Sequence, residues 1–229
     1  MDNIKRKSVK GTIWIYIGFA IGAFNMYLFT SGHWFNSDQF GLTRTMLELG
    51  ILLAGFAGLG NTSFLVKFFP YYKSALSPKK NDILLIGAMV CLAGFILTLA
   101  GLFFLKPLVI QKFSGNAPLL VDYFFYLIPL FFFILFYQLL EAYSFGFDKG
   151  LVTTFLKETV LRLYTTIIIL IYIFFKIPFP VFILLFSLQY AVLVLLLLYD
   201  LYRNKQLWLA KTIPKAIISA CDRCIPKTS

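Results

Sequence analysis

The sequence predicts an all-α membrane protein, a bundle of six transmembrane helices. Of the 229 residues, 60% are hydrophobic and only 14% are charged, against about 45–50% and about 25% in soluble domains. Phenylalanine alone contributes 27 residues, more apolar surface than a soluble core of this length hides. Six apolar runs also reach or approach the roughly 18–20 residues that cross a bilayer.

The runs lie at about 12–29, 46–66, 83–105, 119–143, 159–175 and 179–199. The first follows the basic stretch "IKRKSVK". No small-x-small cleavage pattern comes after it, so it is expected to be a retained helix and not a signal peptide. The second emerges from the polar "QFGLTRT", with Arg44 and Glu48 four residues apart where the apolar run starts. The third contains Cys91, expected as a small packing residue. The fourth contains Pro129, which predicts a kink because proline lacks a backbone donor. The fifth opens with "FLKETVLRLY", and only "KIPFP" separates it from the sixth, which demands a tight antiparallel hairpin. Residues 203–229 form a basic tail with Trp208, Leu209, Ile213 and Ile217, expected to lie along the membrane surface.

The net charge of +11 reads as a topology signal. With the N-terminus in the cytoplasm, only Arg44, Lys106, Lys112 and Lys176 of the 21 Lys and Arg residues fall outside. That asymmetry predicts both termini on the cytoplasmic side. No readable nucleic-acid fold accompanies the charge, so no nucleic-acid partner is expected. Cys221 and Cys224 form one CxxC without a second ligand pair, and His33, the only histidine, sits in a loop; no metal or cofactor is expected. Metalloprotease, nucleophile-elbow and P-loop motifs are absent, so the chain is not read as an enzyme.

Polar and small residues mark the faces on which membrane helices meet. Gly11, Gly18 and Asn25 are spaced by sevens in the first helix, with Gly22 adding a GxxxG; Glu48, Gly55 and Thr62 repeat that spacing in the second. Both stripes are expected to point inward, toward each other or toward a water-filled cavity. For Arg44 and Glu48, an interfacial pair with a snorkelling arginine and a cavity lining are both open. Gln138 and Glu141 share a face near the end of the fourth helix. Glu158 and Arg162 are ordered for an i,i+4 bridge, either purely structural or lining the cytoplasmic mouth. Gln189 places one polar group at mid-depth in the sixth helix.

Two stretches, "IKRKSVKGTIWIYIGFAIGAFNMYLFT" and "QFGLTRTMLELGILLAGFAGLGNTSFLVKFFPYYK", resemble the polysaccharide-biosynthesis flippases of the multidrug/oligosaccharidyl-lipid/polysaccharide (MOP) superfamily, as do "LLEAYSFGFDKG" and "FLKETVLRLYTT" of a bacterial subgroup. The resemblance spans about residues 4–205. It implies a transporter of two six-helix lobes around a central cavity, of which this chain supplies the N-terminal lobe. The substrate it implies is a polyprenyl-diphosphate-linked oligosaccharide, turned across a bacterial cytoplasmic membrane. Arg44 would then meet the diphosphate with Asn25 hydrogen-bonding beside it and Glu48 fixing the arginine, while Glu141 and Arg162 would line the cytoplasmic vestibule. The second lobe is expected from a missing C-terminal half or from self-association. The competing readings are a multidrug or small-metabolite exporter on the same fold and a non-transporting partner in a glycan pathway. The absence of a carboxylate in the first helix weighs against a proton-coupled drug exporter.

Overall fold

The computed structural model describes residues 2–31, 34–75, 82–113 and 118–207. These are helical, with no strand among them: α1 (Asp2–Thr30), α2 (Ser37–Ala57), α3 (Asn61–Ala75), α4 (Ile83–Phe113), α5 (Pro118–Asp122), α6 (Leu127–Phe145), α7 (Gly150–Phe155), α8 (Leu161–Phe175), α9 (Phe179–Ser187) and α10 (Gln189–Arg203). Six stretches are long and apolar enough to cross a membrane: Gly11–Thr30, Ser37–Ala57, Ile83–Phe104, Phe124–Phe145, Gly150–Phe175 and Phe179–Arg203. The chain is a multi-pass transmembrane bundle. His33, Cys221, Cys224 and tail residues 208–229 lie outside the described residues.

Three elements depart from the sequence reading. The second span runs from Ser37 to Ala57 and not from 46 to 66. Its polar start is itself helical, because the Gln39 side chain accepts the Asn36 backbone N–H at 3.1 Å and satisfies a donor the helix leaves open. It ends where Leu59 (φ 47°) and Gly60 (φ 74°) adopt the left-handed conformation, and α3 restarts at Asn61. The fifth span begins at Gly150, about two turns before the predicted start at 159. A π-helical turn at Leu156–Val160 joins α7 to α8 within it. Pro129 bends nothing in mid-helix. It falls in the first turn of α6, after a 3₁₀ turn at Phe124–Tyr126, where its missing N–H is tolerated.

The predicted hairpin between spans five and six is present. Lys176 closes α8 in the left-handed conformation (φ 47°) and Pro180 sits in the first turn of α9. At the centre of the bundle stands α6, touching α2, α3, α4 and α10 and burying Leu130, Phe131, Ile134 and Leu135. The outermost helix is α1; it rests on α7, the π-helical turn and α8, and touches α2 only lightly. Water gives these helices no reason to associate inside a bilayer, so close packing has to do it. Gly94 lies against the Ala57 carbonyl, Gly18 against the Glu158 carbonyl and Gly50 against Ile134.

The two ends of the bundle differ chemically. At the end where α1 finishes, Phe29 of α1, Phe35 of the loop before α2, Tyr172 of α8 and Phe182 of α9 pack together, with centroids 4.7 Å apart for Phe29–Phe35 and Phe35–Tyr172 and 5.2 Å for Phe35–Phe182. The opposite, basic end is tied by hydrogen bonds. Lys149 pairs with Asp200 at 2.5 Å, Tyr143 donates to the Gln206 carbonyl at 2.8 Å and Lys73 to the Gly146 carbonyl at 3.3 Å.

Candidate functional site

Between these ends the membrane spans carry two charged pairs. The first is Glu158 and Arg162. Because the fifth span starts earlier than predicted, the pair lies about halfway along it. Arg162 lies beside Gly22 of α1, which is about 12 Å from the Thr30 end of its span and about 16 Å from the Gly11 end at 1.5 Å per residue. That is mid-depth. The guanidinium donates from Nη2 to Glu158 Oε2 at 2.8 Å, and both side chains are 27% exposed. Phe19 covers another side, with its centroid 4.9 Å from Arg162 Cζ.

Asn25 is buried in the same seam. Its amide donates to the Arg162 carbonyl at 2.9 Å and accepts from the Thr166 hydroxyl at 2.7 Å. One turn earlier, Thr159 donates to the Trp14 carbonyl at 3.1 Å. The stripe Gly18–Gly22–Asn25 therefore faces inward, as its spacing implies, but against α8 and the π-helical turn, not against α2. Asn25's partners both stand on α8, and the π-helical turn adds the Thr159 hydroxyl.

The second pair stands apart. Arg44 Nε and Glu48 Oε1 are 3.8 Å apart, with their side chains 69% and 73% exposed. By helical rise they lie about 10 and 16 Å from the start of the second apolar stretch. The α2 stripe does not meet α1: Glu48, Gly55 and Thr62 face out of the bundle, whereas Thr43, Met46, Gly50 and Ala54 turn in. Periodicity marks a stripe but does not say on which side of the helix the neighbours stand.

Glu141 makes no hydrogen bond with either pair among those of the described residues, but it and Glu158 both lie within electrostatic reach of Tyr137 and Tyr190. Glu141 is half-buried toward the basic end of α6, with Lys157 also in reach. Tyr137 donates to the Thr153 carbonyl at 3.0 Å. Gln189 is buried, accepting from Thr165 at 3.3 Å while its Nε2 has no partner.

Three contributors escaped the sequence reading. Thr166 follows Arg162 by one turn, a spacing that could have shown it on the same face, and Phe19 is hidden among other aromatics of the first helix. Asp82 looks like an ordinary helix start. It is fully buried beside α4 with neither carboxylate oxygen hydrogen-bonded among the described residues, and burial pushes its carboxyl above the ordinary range. Burial, then the Asp82 charge, push the Tyr72 hydroxyl up in turn. No protein-family model, curated protein or solved structure matches the chain; the two charged pairs and the Asn25 bonds are the features that bear on its function.

Proposed function

We propose that this chain is a membrane flippase, or the N-terminal half of one, that turns polyprenyl-diphosphate-linked oligosaccharide from the cytoplasmic to the outer leaflet by alternating access. The observation that carries the reading is the Arg44–Glu48 pair, exposed on a spanning helix at 10–16 Å depth by helical rise, about a third to a half of the way across. Charges facing hydrocarbon are unfavourable by several kcal/mol, and such residues turn to a protein interior or to water. The exposed face of α2 is therefore read as one wall of a wet path, its other wall supplied by a second lobe or a second copy of the chain. A diphosphate crossing the membrane needs a cation of the arginine kind along that wall, and a glycan needs water and polar groups. The positive-inside rule supports placing the lysine-rich end in the cytoplasm, and the bacterial membrane rests on the family resemblance alone.

The test is reconstitution into vesicles with a fluorescent lipid-linked oligosaccharide, following the rate at which label becomes accessible on the far leaflet. Arg44→Gln is expected to slow this at least about tenfold, which corresponds to about 1.4 kcal/mol of lost stabilisation. A rate indifferent to Arg44 and Glu48, or efflux of cationic dyes in place of glycan movement, would count against it.

A further inference from the structure

The Glu158–Arg162 pair is built like a site with an occupant already in place. A guanidinium has five N–H donors in a planar fork. Here one is committed to Glu158 Oε2, and the side chain remains 27% exposed. The surroundings are shaped for the guanidinium and not for packing alone. Gly22 lets the guanidinium lie close against α1: a Cβ there would stand 3.0 Å from Arg162 Nη1, and the side chain would have to shift to admit it. Phe19 presents its ring at 4.9 Å, which stabilises the cation without using any donor. Asn25 bonds to the backbone carbonyl of Arg162 and to the Thr166 hydroxyl, so it fixes the helix while leaving the charged head free.

Glu158 is the replaceable part. It engages the fork through a single hydrogen bond, from Nη2 to Oε2, and its carboxylate is about a quarter exposed. A phosphate offers the fork more charge and a bidentate geometry.

We propose that Arg162 is an anion-recognition residue for phosphate oxygens at mid-depth, and that Glu158 is its resident competitor, displaced when the anion arrives. This rests on the flippase reading for the source of the phosphate, a polyprenyl diphosphate headgroup. Glu158 acts through Arg162 as a positioning residue: it holds the guanidinium in the seam between entries of substrate and lowers affinity so that release remains possible.

The sign of the Glu158 effect separates this role from a structural one. Binding of geranylgeranyl diphosphate to the protein in neutral-lipid nanodiscs is expected to tighten about tenfold in Glu158→Gln, because a competitor of roughly one charged hydrogen bond is removed. Arg162→Gln is expected to weaken it by about the same factor, and Arg162→Lys to recover part. The double variant Glu158→Gln/Arg162→Gln leaves no unpaired charge and controls for folding; it should bind as weakly as Arg162→Gln. Inorganic pyrophosphate and nanodiscs of phosphatidylglycerol serve as parallel probes. The same pattern with either keeps Arg162 as the anion site and changes only the source of the phosphate. Unchanged binding in Arg162→Gln, or weaker binding in Glu158→Gln, overturns the proposal. If the binding pattern holds but reconstituted protein moves no glycan, the flippase reading fails and this one stands. If glycan moves equally well in wild type and both variants, the reverse is true.

Discussion

Asp82 shows how much a single buried group can matter. Neither oxygen has a hydrogen-bond partner among the described residues and the group is buried, so its ionised form is unfavourable and the carboxyl holds its proton more tightly in the folded protein than in the unfolded chain. The stability this confers is complete below the ordinary value of 3.8. It is lost as pH rises from there through the raised folded value, and is constant above. Asp82→Asn should remove this dependence and stabilise the protein at pH 8 by about 1–3 kcal/mol. Unfolding midpoints in detergent at pH 5 and pH 8 measure it. A variant with wild-type pH dependence would mean that the carboxylate finds a partner in solution. The charged pairs teach a related lesson: Arg44 with Glu48 and Arg162 with Glu158 share sequence spacing, yet their exposures differ more than twofold. What a pair can do follows from its neighbours, not from its own spacing.

Among the elements, glycine placement determines which helices can touch. A side chain at Gly18 would strike the Glu158 carbonyl, and one at Gly94 the Ala57 carbonyl, both rigid backbone. Gly18→Ala and Gly94→Ala should each destabilise by about 1–3 kcal/mol, the usual range for overpacking. Gly55→Ala meets nothing within 4 Å and should be neutral or gain up to about 1 kcal/mol of helix propensity. Unfolding in mixed micelles compares the three. Equal losses at all three positions would mean that a partner covers α2 tightly at Gly55. The break between α2 and α3 has the same local logic: Leu59 and Gly60 in the left-handed region stop one helix. Asn61 then pins the next one to α4, donating to the Gly87 carbonyl at 2.8 Å.

For the whole molecule, the question is what covers the outward face of α2. If it lines a wet path, a cysteine replacing Glu48 in a background without Cys91, Cys221 and Cys224 should react quickly with a membrane-impermeant thiol reagent. A cysteine replacing Leu195, exposed on α10 with no charge nearby on its helix face, should stay unmodified in intact membranes. Equal protection of both would place α2 against lipid or a dry interface. The bundle itself gives α1 and α2 little contact with each other: α2 is held by α6 and α4, and α1 by α7, the π-helical turn and α8.

The sequence by itself determined the solvent, the helical class and the number of spans, because bilayer thickness converts directly into runs of apolar residues. It also determined the tight turn at Lys176–Pro180 and the inward face of α1, where glycine and asparagine recur with nearly two turns between them. Only the tertiary structure decided where the spans start. Ser37–Met46 and Gly150–Glu158 are too polar to extend an apolar run, yet they are helical because capping and neighbouring helices satisfy them. That shift places Arg162 about halfway along its span. Tertiary structure alone likewise decided that the α2 stripe faces out, since a helical period fixes which residues share a face and leaves the direction of that face to whatever packs on the other side.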